Sequence, residues 1–445
     1  MAKDKLTQYD STASNNTDVG GISVAEGMLP SGVNNAIREQ MSHLADFAAG
    51  TSGVDVLKLQ DDTDTNSIKL QAPSSVTTTT TFTLPDGDGS ADQVLKTDGS
   101  GQLGWADRHA NPSLIINGAM TVSQRGTSQA SVGYNGGYFA APDRFRFYNP
   151  TQAVWTLSQS TEAPDGFSNS YKIDCTTADT TVAADHTTLL EYRFEGQDLQ
   201  HLKKGTSSAL SVTASFWVRS AKTGTYILEF RDGDNNRSIS KSYTVSSADT
   251  WEYKTITFDG DTTGTLDNDN ANSMSLLWWL AAGSDYTSGT LQTSWGTLTA
   301  ANQAVGVVNL GDSTSNDWHI TGVKLEVGST ATDFVHRSYG EELALCQRYY
   351  MKPTARQIQG VMETTTVAQA QIPFLTVMRA APTVTRLINS NWGSTGGTLT
   401  NTAAYNFSAS GKQGAVIALA FTSSSSVGIP VTCDTDGILD LSAEL

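Results

Sequence analysis

Six histidines, His43, His109, His186, His201, His319 and His336, are the residues of this chain best suited to metal binding or proton transfer, and their spacing supports neither. There is no Ser nucleophile elbow, no HExxH helix and no local paired-carboxylate signature. Glycosidase carboxylates pair in space and not in sequence, so the 45 acidic residues leave that one class open. Cys175, Cys346 and Cys433 lie too far apart for a metal or disulfide framework and read as buried free thiols. Asp62, Asp64 and Asn66 open like a calcium loop. Ser67 stands where Gly is needed and Pro73 where Glu is needed, so the stretch reads as a solvated turn. Asp232, Asp234, Asn235 and Asn236 form a second acidic loop, and Asp267 and Asp269 a third. Both read as turns, with a structural Ca²⁺ as the alternative; no metal or cofactor is expected. Gly133, Gly136 and Gly137 lack the strand–loop–helix context of a phosphate loop.

Aromatic residues carry the stronger signal, because Trp and Tyr rings can stack on the C–H faces of sugars while Asn and Asp bind hydroxyls. Trp278 and Trp279 are adjacent on a predicted strand, so their rings point to opposite faces. One belongs to the core; the other is left for an exposed surface, a neighbouring chain or a sugar platform. Tyr286 and Trp295 follow in a loop-rich stretch. Trp392 stands in NSNWGSTGG, which reads as an exposed polar loop, and Tyr405 comes shortly after it. The candidate glycan or receptor contacts are therefore Trp392, Trp278, Trp279, Trp295, Tyr286 and Tyr405.

These side chains need a scaffold, and the composition makes it mainly β. Thr, Ser, Gly, Asn and Asp abound, which suits short strands and many turns. A net charge of −17 without a visible basic patch excludes an ordinary nucleic-acid binder. No apolar run approaches the ~20 residues that span a bilayer, so no membrane insertion is expected. In residues 1–50, Ser31 can cap a helix over 31–49 with Val33, Ile37, Met41, Leu44 and Ala48 near a heptad seam. That helix either docks on its own domain or joins a small symmetric bundle. Residues 51–110 hold short apolar alternations split by Asp86-Gly87, Asp98-Gly99 and Gly101 turns. They are too thin for a compact core, which leaves a stalk of wrapped chains or a flexible linker.

Residues 111–338 show ten strand candidates at the spacing of a β-sandwich: 153–157, 171–175, 189–194, 209–219, 226–231, 241–245, 251–258, 274–281, 304–310 and 318–326. Residues 339–445 open on a helix, announced by the capping-box spacing of Ser338 and Glu341. They continue as strands at 372–377, 383–387, 404–408, 415–421 and 437–441.

The stretch LEVGSTATDFVHRSYGEELALCQRYY, residues 325–350, closely resembles a segment of bacteriophage tail-fibre proteins. NPSLIINGAMTVSQRGTS with APDRFRFY, LPDGDGSADQVLKTDGSGQLGWA and FLTVMRAAPTVT resemble other parts of such fibres, and residues 10–53 resemble the N-terminus of marine-phage structural proteins. The resemblance implies an elongated multidomain homotrimer: a virion-attachment region with a short N-terminal helix, a thin trimeric β stalk, a jelly-roll β-sandwich and a small C-terminal β domain at the tip. It implies a tail fibre of the virion, made in the host cytoplasm, that joins other tail proteins through its N-terminal region and binds a host-surface glycan or protein without catalysis. The alternatives are a purely structural fibre or collar piece, or a glycan depolymerase tailspike. The last is weakened by the lack of a 20–50-residue repeat.

Overall fold

The computed structural model describes residues 8–10, 12–25, 27–49, 56–60, 67–71, 75, 81–89, 93–107, 112–354, 357–386, 390–394, 397–401, 405–421, 425–434 and 439–445. It is mainly β and divides into two compact units, Met1–Arg108 and His109–Leu445.

In the first unit a helix runs over Pro30–Ala48. Ser31 is not its cap: Pro30 occupies the first turn, where its missing N–H costs nothing, and Leu29 precedes it without a side-chain cap. The helix packs against the Asp18–Val19/Ile22–Ser23 hairpin and buries Ala36 and His43, and Tyr9 Oη sits 2.7 Å from His43 Nδ1. The apolar stripe Val33, Ile37, Met41, Leu44 and Phe47 faces outward instead. Two hairpins follow, Val56–Gln60 with Ser67–Gln71, and Gln93–Thr97 with Leu103–Asp107. Asp98 Oδ1 accepts from the Ser100 and Gln102 amides, which is why Asp98-Gly99 turns the second. The loop of Asp62, Asp64 and Asn66 lies outside the described residues.

The second unit begins as a sandwich of two antiparallel sheets, jelly-roll-like in its strand exchange between layers. The six-stranded sheet runs Glu252–Phe258, Val212–Ser220, Asp317–Val327, Ser170–Thr177, Val154–Ser160, Ser128–Val132. The seven-stranded sheet runs Gly296–Thr297, Arg237–Val245, Gly224–Asp232, Asn272–Ala282, Thr187–Glu195, Arg146–Asn149, Asn135–Phe139. Alternating side chains of both sheets fill the space between, with Trp155, Trp278, Trp318, Phe145, Phe147 and Tyr171 at its centre. Residues 304–310 are not a strand, contrary to expectation. Their apolar character comes from Ala304 and Val307 packing over the outer side of the seven-stranded sheet.

The Tyr339–Gln347 helix carries the expected capping box, Ser338 with Glu341. Beyond it a seven-stranded sheet, ordered Gly397–Asn401, Ser390–Ser394, Pro430–Cys433, Gln359–Met362, Val367–Pro373, Gly414–Ala420, Tyr405–Ser410, shares a small core with a three-stranded one. Ionic groups stitch this part to the sandwich. The fully buried Glu195 carboxylate accepts from Arg348 Nε and Nη2 at 2.8 and 2.6 Å and from Tyr349 Oη at 2.6 Å. Arg144 pairs with Glu444 at 2.8 Å and stacks 3.4 Å over Tyr349. Arg379 donates to the carbonyls of Asn270, Ala443 and Glu444. The Arg348-Tyr349-Tyr350 run is thus the joint of the unit.

Candidate functional site

The outer face of the seven-stranded sandwich sheet concentrates polar and aromatic side chains. On Thr187–Glu195, alternation turns Leu190, Tyr192 and Phe194 into the core and Glu191 and Arg193 outward. Pairing then sets rows across the sheet. Arg146, Glu191, Leu277 and Glu229 form one row on four adjacent strands. Arg193, Ser275 and Arg231 form the next. Tyr148, Leu189, Trp279 and Ile227 flank them on the other side. Segment 283–308 covers the apolar row with Tyr286, Leu291, Ala304 and Val307 and reaches Glu229 through Gln303; Glu191, Leu277 and Glu229 are buried, and Arg146, Arg193 and Arg231 stay partly exposed.

Every charged group in these rows is held. Glu191 takes Arg146 Nη1 at 2.6 Å and Arg193 Nε at 3.0 Å. Burial opposes the charge on Glu191, and Arg193 and Arg146 outweigh it, so its carboxyl stays below the ordinary value. Glu229 accepts from both sides of the Arg231 fork at 3.0 and 3.1 Å, from Trp279 Nε1 at 2.9 Å and from Gln303 Nε2 at 2.9 Å. Arg146 lies 5.4 Å over the Tyr148 ring, and Tyr286 packs 5.5 Å from Trp279. Gly137, at φ +124°, leaves room for the Arg146 guanidinium that a Cβ would strike. The partly exposed edges of Arg146, Arg193, Arg231, Tyr148 and Tyr286 therefore make a rigid surface of forked donors and ring faces over buried carboxylates. Such groups can meet the paired hydroxyls and C–H faces of a sugar at little ordering cost.

Of the six aromatic candidates, Trp279 and Tyr286 lie on this face, Trp279 beneath it with its N–H on Glu229. Trp278 belongs to the sandwich core, as its opposite parity requires. Trp295 is half-buried against that core, donating from Nε1 to the Asp259 carbonyl at 2.6 Å. Trp392 corrects an expectation. It sits on the Ser390–Ser394 strand, fully buried, 6.0 Å from Phe421, because its polar neighbours alternate to the other side of the sheet. It has no ring face to offer a ligand. The side chain of Tyr405 lies outside the described residues. Sequence reasoning missed Glu191, Arg193, Glu229 and Arg231. The signal present was the inward-aromatic, outward-charged alternation of EYRFE and LEFRD.

Two other clusters have the composition of functional sites. Ser170, His319 and Asp317 come together, with Ser170 Oγ 3.1 Å from His319 Nδ1 and Asp317 Oδ2 3.4 Å from Nε2. Ser170 is fully buried and donates to the Glu162 carbonyl at 2.6 Å, so its hydroxyl is committed and shielded. Asp317 also pairs with Lys172 at 3.2 Å. The trio is an ion cluster and presents no nucleophile. In the Asp232 loop the Lys204 ammonium contacts the Asp232 and Asp261 carboxylates and the carbonyls of Thr263 and Gly264. A lysine thus fills the place a cation would take. Among the described residues no group of three His, Cys, Asp or Glu side chains could hold a metal.

No family model matches this sequence, and no curated protein matches it. Among solved structures, 42% of the chain is similar to the enzymatically active domain of tailspike protein 4 of bacteriophage CBA120, at 11% identity and a TM-score of 0.25. The chain spans 19% of that tailspike structure. A family 11 carbohydrate-binding module from Clostridium thermocellum aligns over 99% of its length with 46% of the chain, at 13% identity and a TM-score of 0.24. A putative sugar-binding protein from Bacteroides thetaiotaomicron aligns over its whole length with 49%, at 11% identity and 0.27.

Proposed function

We propose that this chain is a phage tail fibre, a virion protein that recognises the host surface by binding glycan on the outer face of its sandwich, without making or breaking bonds. The observation that carries glycan binding is the set of partly exposed guanidinium and ring edges of Arg146, Arg193, Arg231, Tyr148 and Tyr286, held in register over the buried Glu191 and Glu229 carboxylates on adjacent strands. The fibre assignment is supported by the tail-fibre resemblance of residues 325–350. Self-association is supported by the outward apolar stripe of the Pro30–Ala48 helix, whose spacing suits packing against copies of itself. Three chains per fibre multiply weak sugar contacts through effective concentration.

The test is a glycan array probed with the intact chain, alongside its solution mass by light scattering. Binding to a glycan class that is lost in Glu191→Gln, with a mass near three times 47.3 kDa, is the expected result. A trimer that binds no glycan and does not block phage adsorption would leave a structural fibre. Release of new reducing ends from the bound glycan would make the chain a depolymerase.

A further inference from the structure

The six-stranded sheet of the sandwich also turns a face outward, and rings gather at its edge. Glu252–Phe258 is the end strand of that sheet. Its Ile256 and Phe258 point into the core, so alternation turns Tyr253 outward. Trp217 stands opposite Tyr253 on the neighbouring strand, with ring centroids 5.3 Å apart. Tyr253 is 44% exposed and Trp217 partly exposed. Trp251, two residues before Tyr253, lies 5.9 Å from His319, whose neighbours Trp318 and Ile320 point into the core. On the other flank Gly322 sits at φ +61°, where a Cβ would come within 2.7 Å of the Phe167 ring and 3.2 Å of Trp217. The glycine lets Phe167 approach Trp217 and lengthens the ring surface.

Fixed polar groups frame these rings. Arg219, two residues after Trp217, shares its face. It donates from Nη2 to the Asp249 carboxylate at 2.9 Å and from Nε to the Asp249 carbonyl at 3.2 Å, and its Nη1 lies 3.6 Å from Glu162. The Asp249 amide is held too, on the Ser220 carbonyl at 2.9 Å. Glu162 and Asp249 are exposed, whereas Glu191 and Glu229 on the opposite sheet are buried. Carboxylate oxygens therefore reach solvent beside the rings, ready to accept from hydroxyls while the rings take a C–H face. An acidic sugar is disfavoured, because Glu162, Asp174, Asp249 and Asp317 outnumber Arg219, Lys172 and even a charged His319 there. We propose that this edge of the six-stranded sheet binds an uncharged glycan segment, as a second site on the side of the sandwich away from the arginine-edged face. The proposal rests on these residues alone and stands whether or not the seven-stranded sheet binds sugar.

The experiment is calorimetric titration of the full chain with neutral hexasaccharides (malto-, cello-, manno- and galacto-linked) and with oligogalacturonate as the acidic control. The expected result is binding of at least one neutral probe, weakened about tenfold by Tyr253→Ala and kept by Tyr253→Phe, because the ring remains. Asp249→Asn should weaken the same probe about threefold, through the loss of a charged acceptor. Tyr253 is exposed on an end strand, so its variants keep the fold and the test stays valid should Asp249→Asn lose stability. The proposal is overturned if no neutral probe binds, if only the acidic one does, or if the affinity ignores Tyr253→Ala. A neutral probe lost with Glu191→Gln and indifferent to Tyr253→Ala would belong to the other face and overturn it equally.

Discussion

Glu191 and Glu195 stand four residues apart on one strand, each bound to arginine, and their surroundings give them different work. Glu195 lies under the chain's own Arg348-Tyr349 and has no access to water. Glu191 is buried as well, but the Arg146 and Arg193 groups that hold it belong to the outer face of the sheet. A carboxylate–arginine pair is therefore not a site by composition. What differs is what each pair joins: a second part of the chain at Glu195, neighbouring strands of one face at Glu191. Segment 283–308 covers the apolar row and reaches Glu229 through Gln303, and the arginine edges beyond it define the candidate site.

The sharpest break in the comparison is Glu195→Ala. It leaves the Arg348 fork and the Tyr349 hydroxyl without their shared acceptor in the joint, at a cost of about 3 kcal/mol. Urea unfolding followed by tryptophan fluorescence measures it. A loss under about 1 kcal/mol would mean that water already reaches the joint.

Acid comes next. Burial works against the charge on Glu195, but hydrogen bonds from Arg348 and Tyr349 outweigh it and hold the carboxyl below its ordinary value. Glu191 is depressed likewise by Arg193 and Arg146. A carboxyl depressed in the folded state contributes stability that is complete above its unfolded value of 4.5 and is lost as pH falls through the folded one. Stability should thus decline below about pH 4.5, and both Glu195→Gln and Glu191→Gln should flatten that decline. Raising salt from about 0.05 to 0.5 M should shrink both shares alike, because in each pair the arginine is partly exposed and the carboxylate buried. Screening at one position alone would mean that the chain closes over the other.

The layered β architecture was legible because strand alternation is a period-2 signal that SFWVRS and TYILEF carry plainly. The capping box of Ser338 and Glu341 was legible because it is local. The site was not, since its rows exist only through register: nothing in the sequence places Glu191, Leu277 and Glu229 side by side. Trp392 was misread for a related reason. Polar neighbours suggest a loop, but on a strand they only mark the opposite face. The stretch 325–350 held a further surprise, because its Arg348-Tyr349 end forms the ionic joint.

A smaller expected effect separates binding from stability directly. Glu191→Gln keeps the shape of the side chain and removes its charge. Glycan affinity should fall about tenfold while stability moves by about 1 kcal/mol. Glu195→Gln should do the reverse, moving stability and leaving affinity alone. Titrating both variants with the glycan found on the array reads the two effects in one series. If the two variants weaken binding equally, the joint acts on the site through the shared strand.

The smallest effect tests the ring and not the charge. Tyr286 is partly exposed beside Trp279, in the segment that covers the apolar row. If its role is to stack on a sugar face, Tyr286→Phe should bind as the parent does, because the ring remains. Tyr286→Ala should weaken binding about fivefold, the loss of about 1 kcal/mol of contact. Phe behaving like Ala would shift the role to the hydroxyl. Parent-like affinity in both would confine Tyr286 to covering Trp279, and the site would shrink to the charged rows alone.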